Sequence, residues 1–206
     1  MIGKVMGAMA VGTTLAASAY TYKICFHSPK KHNEKPYTPV RGEQYLAVQD
    51  KIFTSSRIMA NTEFEQVRIR SHDGLTLTGR FYAVREGAPL LLAFHGYRSM
   101  ALRDCAGAFA LGLKLGFNIL AVDQRAHGQS QGRVITFGIK ERFDCLSWAE
   151  YANKRFGSNV PIILSGLSMG AATVLMAADL DLPENVCCIM ADCPYSTPAD
   201  IIRKVG

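Results

Sequence analysis

Four stretches of the chain, "PLLLAF" (89–94), "NILAVD" (118–123), "VPIILSG" (160–166) and "VCCIMAD" (186–192), are apolar without alternation. Short runs of this kind, with no polar face, predict strands covered on both sides. Helical patterns separate them. Ser99 reads as the cap of one helix that continues to Leu115, and Gly116 ends it. Ile139, Phe143, Leu146, Ala149, Ala152 and Phe156 recur at spacings of three and four and form the apolar face of another, with Lys140, Glu141, Asp144, Lys154 and Arg155 on its polar face. A third helix starts after Ser168. Upstream, a helix-like stretch near 43–60 leads into "FEQVRIRS" and "LTLTGRFYAV", which alternate like half-buried strands and are joined by the turn residues His72-Asp73-Gly74. They predict an antiparallel pair at a sheet edge. The whole pattern is α/β: a mostly parallel sheet with helices on both faces.

The first 27 residues follow a different rule. Eighteen uncharged residues lie between Lys4 and Lys23, "VMGAMAVGTTLAASAYTY". Three readings are open: a retained membrane anchor, a signal peptide cut after Ala17-Ser18-Ala19, and a buried helix of the fold. On the anchor reading, Lys23, Lys30, Lys31 and Lys35 place the downstream domain on the cytoplasmic side; on the signal reading it is exported. Residues 28–42, "SPKKHNEKPYTPVRG", carry three prolines and no apolar period, as a basic tether would. The catalytic-looking domain is then 43–206.

Charge sharpens this division. Five of the six units of net positive charge come from residues 1–42, with six Lys/Arg against one Glu, while residues 43–206 carry 17 against 16. No basic stripe with interleaved aromatics is present, so a nucleic-acid partner is not indicated. Six cysteines, at 25, 105, 145, 187, 188 and 193, show no C-x-x-C pair and read as small buried hydrophobes rather than a disulfide framework or a zinc site.

The chemistry centres on "ILSGLSMGAATVLM", where a buried strand breaks at Gly166-Leu167-Ser168-Met169-Gly170 and resumes as a helix. A G-x-S-x-G turn between strand and helix is a nucleophile elbow. It holds the serine in a strained conformation above the sheet, so the residues two before and two after must be small for strand and helix to pass. Over the chain's twelve serines, a chance match of this spacing arises about one time in twenty. The flanking strand and helix lower that further.

Two more motifs fall in order: "AFHGYRS" after the first buried strand and "DQRAHGQS" after the second. Together with "GLSMG" they resemble the α/β-hydrolase superfamily, in the bacterial serine-hydrolase branch related to serine aminopeptidase and monoglyceride-lipase-like proteins, over residues 64–203. One position departs: Ala126 stands where the family's loop reads D-x-R-G-H-G-x-S, which touches only that local turn. The resemblance implies Ser168 as nucleophile and the backbone N–H groups of Tyr97 and Met169 as the oxyanion hole. It makes His127 a structural contact, has His95 and Gly96 shape the oxyanion loop, and leaves the triad acid open between Asp192 and a residue one strand later. Asp123, at its strand end, ties the following loop through backbone hydrogen bonds.

The expected function is a serine hydrolase that cleaves an ester, thioester or amide through an acyl-enzyme, without metal or organic cofactor, on a small acyl ester or peptide. The alternative is a catalytically silent α/β-hydrolase acting as a membrane-bound interaction module. All five histidines (27, 32, 72, 95 and 127) precede Ser168, whereas a triad in this fold runs nucleophile, acid, histidine. The last strands of the fold are also not accounted for after "TPADIIRKVG". The expectation is therefore that the acid and base lie beyond residue 206, and that these 206 residues alone have little activity.

Overall fold

A computed structural model describes residues 2–28, 43 and 46–205. In chain order the elements are α1 (Ile2–Cys25), α2 (Gln49–Asn61), β1 (Glu65–Arg70), β2 (Thr76–Tyr82), β3 (Leu90–Phe94), α3 (Ala101–Asp104), α4 (Ala106–Leu115), β4 (Asn118–Asp123), α5 (Glu141–Phe156), β5 (Ile162–Leu167), α6 (Met169–Ala177), β6 (Val186–Asp192) and α7 (Pro198–Val205). The described sheet has the order β1-β2-β4-β3-β5-β6. Strands β4, β3, β5 and β6 are parallel. The hairpin β1–β2 lies antiparallel at one edge, with β2 paired antiparallel to β4. This is the mostly parallel sheet with helices on both faces that the strand and helix patterns predict, in the arrangement that the resemblance to α/β hydrolases implies.

Burial on both faces explains the unbroken apolar strands. Leu90, Leu92 and Phe94 of β3, with Leu120 and Val122 of β4, pack with Trp148 of α5 and Val174 of α6. The alternate residues Ala93, Ile119 and Ala121 face Met59 of α2 and Phe109 of α4. Each fully buried large aliphatic side chain of this set contributes about 2–3 kcal/mol by leaving water.

Several local expectations are corrected. Ser99 does not cap a helix: Met100, in extended backbone, precedes α3, which breaks at Cys105 before α4 begins. Gly116 does end α4, in the left-handed conformation at φ +70°. Glu141 and Asp144, placed on the polar face of α5, are buried because each has a polar partner waiting inside. Of the cysteines, 25, 105 and 145 are buried, but 187, 188 and 193 are exposed, since β6 pairs only with β5 among the described residues.

The membrane-spanning expectation is also corrected. The first segment is helical, yet among the described residues no helix is long and apolar enough to cross a membrane. Helix α1 carries glycine, alanine and threonine where a spanning helix carries leucine, isoleucine and valine. Nor is its end held away from the domain: Cys25 and Ser28 are buried against it. Most of the expected tether, residues 29–42, lies outside the described residues.

Candidate active site

Ser168 sits at the junction of β5 and α6 with φ +53° and ψ −109°. An L-residue holds such a conformation only when its surroundings impose it. Here they do. A side chain at Gly166 would overlap the Gly170 carbonyl, with Cβ 2.2 Å from its oxygen, and one at Gly170 would meet the Phe94 carbonyl oxygen at 2.2 Å. Strand, turn and helix therefore pass in contact, and α6 starts directly on the end of β3. The Ser168 N–H donates to the Asp192 carbonyl at 2.9 Å, which fixes the elbow against β6.

The loop after β3 runs beside Ser168: a Cβ on Gly96 would lie 3.5 Å from Ser168 Cβ. Gly96 N–H is committed to Asp104 Oδ2 at 2.9 Å. The next amide, Tyr97 N–H, and the Met169 N–H that opens α6 donate to no protein acceptor among the described residues. Both flank the turn that carries Ser168. Met169 is fully buried, with Tyr97 and Tyr195 packed against its cluster.

The two buried histidines are spent on the backbone. His95 Nε2 accepts the Gln124 N–H at 3.0 Å while its Nδ1–H donates to the Gly96 carbonyl at 2.7 Å. His127 Nε2 accepts the Arg98 N–H at 3.0 Å and its Nδ1–H donates to the Arg125 carbonyl at 2.8 Å. Each ring is thus a neutral Nδ1–H tautomer with its lone pair already occupied, and the rings meet edge to face at 4.8 Å. This arrangement stiffens the loops after β3 and β4. The Asp123 carboxylate accepts the Ala101 and Gln129 amides, each at 3.2 Å, and joins those loops again. Asp192 reaches Ser168 only through its backbone; its side chain is exposed at the end of β6.

Three supporting residues escape sequence reasoning. Gln124 donates from Nε2 to the His95 carbonyl and accepts the Thr173 hydroxyl at 3.0 Å, which links α6 to the loop after β3. Asp104 holds Gly96. Arg125 is buried and grips two carboxylates in fork geometry: Asp144 at 2.6 Å from both Nε and Nη2, and Asp73 at 2.9 and 3.1 Å. The available signal was that "DQRAHGQS" is polar immediately after a buried strand, where polar side chains need partners. His72, Asp73 and Asp144 bring ligand atoms within 4.8 Å of one another. The Arg125 guanidinium already occupies the oxygens of both carboxylates, so that trio is an ion-pair network.

Known proteins place this geometry in a family. The chain is 29% identical over 145 residues to the uncharacterized protein YqkD of Bacillus subtilis, covering 70% of this chain and 46% of that protein. It is 28% identical over 134 residues to the thiohydrolase aneE of Aspergillus aculeatus, covering 64% of this chain and 42% of that one. The chain therefore spans less than half the length of these two curated relatives. The esterase Pf2001 of Pyrococcus furiosus superposes with a TM-score of 0.60 at 24% identity, covering 82% of this chain and 57% of the esterase, which shows a shared fold. The sequence profile described as serine aminopeptidase, S33, matches residues 86–204. That span is more than half of the chain and runs from before β3 into α7, so it contains the elbow, the loop after β3 and the polar loop after β4 together: the protein belongs to the serine aminopeptidase S33 family of α/β hydrolases.

Proposed function

We propose that this hydrolase works through Ser168. The Oγ attacks the carbonyl carbon of an ester, thioester or amide, and the carbonyl π electrons move to oxygen. The Tyr97 and Met169 N–H groups hold that oxyanion. Collapse of the tetrahedral intermediate expels the alcohol, thiol or amine with a proton and leaves an acyl-enzyme, which water then hydrolyses. The observation that carries the reading is the strained Ser168 backbone, enforced by the contacts of Gly166 and Gly170. Strain of this kind exposes a hydroxyl at a strand-to-helix turn and has no packing purpose of its own. The similarity to a thiohydrolase and to an esterase favours esters and thioesters over peptides as substrates.

The base is proposed to come from residues outside these 206, and the triad acid from there or from Asp192. Support for this lies in His95 and His127, whose ring nitrogens already bind backbone groups. Asp192 remains a candidate acid at the end of β6, and its carboxylate is exposed there.

In the full-length protein, Ser168→Ala should lower turnover of short p-nitrophenyl and thioester substrates by about 10³-fold or more and abolish labelling by a fluorophosphonate. Turnover retained within tenfold would remove the nucleophile assignment. Robust Ser168-dependent turnover by the 206-residue chain alone would overturn the proposal that the base lies elsewhere.

A further inference from the structure

The last carbonyl groups of any α-helix lack partners within it, and those of α1 are met by the oxyanion loop. Tyr97 Oη–H donates to the Cys25 carbonyl at 2.9 Å. Arg98 Nη2 donates to the Ile24 carbonyl and, at 3.3 Å, to that of His27. A guanidinium at a helix C-terminus also matches the negative end of the helix dipole. Beyond the helix the chain continues along a second loop: His27 bridges antiparallel to Val134, Ser28 N–H donates to the Arg133 carbonyl at 2.9 Å, and Ile135 N–H donates to that of Phe26 at 2.8 Å. Aromatic rings close the circuit. Phe26 meets Phe137 edge-on at 5.6 Å, and Phe137 stacks on Tyr97 at 5.0 Å.

Arg98 itself has φ +51°, in the left-handed region. Its backbone N–H is held by His127 and its side chain by the end of α1, so the bend after Tyr97 is fixed from two sides. We propose that residues 22–28 form a positioning strap for the oxyanion loop, with the Tyr97 and Arg98 side chains as its anchors on the catalytic domain. The strap touches neither Ser168 nor substrate. It sets the direction of the Tyr97 N–H through the bend at Arg98. The inference rests on the proposed role of that N–H in binding the oxyanion.

The test uses the full-length protein with Tyr97→Phe, Arg98→Ala and Arg98→Lys beside Ser168→Ala. Each of the first two should lower kcat on a soluble ester about 5- to 50-fold with KM unchanged within twofold, and Arg98→Lys should recover part of the loss. In a protein lacking residues 1–28, Arg98→Ala should add less than twofold to the loss already caused by the deletion. The second readout is Cys25, buried within the strap: its reaction with a small maleimide should be at least tenfold faster in Arg98→Ala than in wild type, whatever the activity. The strap is overturned by a kcat within twofold of wild type in both Tyr97→Phe and Arg98→Ala, by a change confined to KM, or by Cys25 staying protected in both. Turnover surviving in Ser168→Ala would instead sink the proposed function.

Discussion

At Ala126 the backbone adopts φ +63°, a conformation in which a methyl group crowds the next carbonyl and which costs an L-residue about 1 kcal/mol relative to glycine. The family's loop carries glycine there, and the departure is accommodated without changing the turn: Ala126 N–H still donates to Gln131 O at 2.9 Å. Ala126→Gly should therefore raise the free energy of unfolding by at most about 0.5 kcal/mol, after the extra chain entropy of glycine is subtracted. Urea denaturation at constant m-value checks it. A loss of stability would mean that the Ala126 methyl contributes packing that outweighs the strain. The same scale separates the two glycines of the elbow from Ala126. At Gly166 and Gly170 the obstacle is backbone at 2.2 Å, which cannot move aside, and no compensation is available.

Between elements, Arg125 joins three pieces that are remote in sequence: the turn of the β1–β2 hairpin through Asp73, its own loop after β4, and α5 through Asp144. The guanidinium holds the Asp73 carboxyl well below the usual carboxylate range. A depressed carboxylate stabilises the fold above its unfolded pKa, about 3.9, and that stabilisation is lost as pH falls below this value. Stability should thus drop between about pH 4 and pH 2, and Asp73→Asn should flatten that part of the profile while costing about 1 kcal/mol at neutral pH. Equal acid slopes in wild type and variant would show that Asp73 is not the group responsible. Arg125→Met should cost more, about 3–5 kcal/mol, because it leaves the buried Asp144 unpaired.

Across the whole molecule, the two faces of the sheet are covered by separate helix sets, and the chain's one tryptophan reports on one of them. Trp148 is 1% exposed, within the cluster formed by α5, α6 and the sheet. It also lies against Gly79 of β2, where an added Cβ would come within 3.2 Å of the ring. Its emission should be blue-shifted and shielded from iodide in the native protein, and its red shift on denaturation should coincide with loss of far-UV ellipticity. Two separated transitions would mean that α5 and the edge hairpin leave the sheet before the rest unfolds.

By itself the sequence determined the strand set, the sheet's mixed character and the elbow, because all three are written in local patterns: unbroken apolar runs, period-two alternation, and two glycines at fixed distance from Ser168. Its reading failed wherever a residue's surroundings come from distant segments. Glu141 and Asp144 look like the polar face of a helix until Thr136, Gly138 and Arg125 arrive as partners. Cys187 and Cys188 look like core until the sheet order leaves β6 with one neighbour among the described residues. The structural role that the resemblance implies for His95 and His127 agrees with the folded loops, but only those loops show which atoms their nitrogens bind. Residues 22–28 are the clearest case. Their character left open whether they belong to an anchor, a signal peptide or the fold, yet the carbonyls that end α1 find Tyr97 and Arg98, more than seventy positions along the chain. Hydrogen bonds of that range leave no periodicity in a sequence, since they depend on where two backbones meet rather than on the order of side chains along either one.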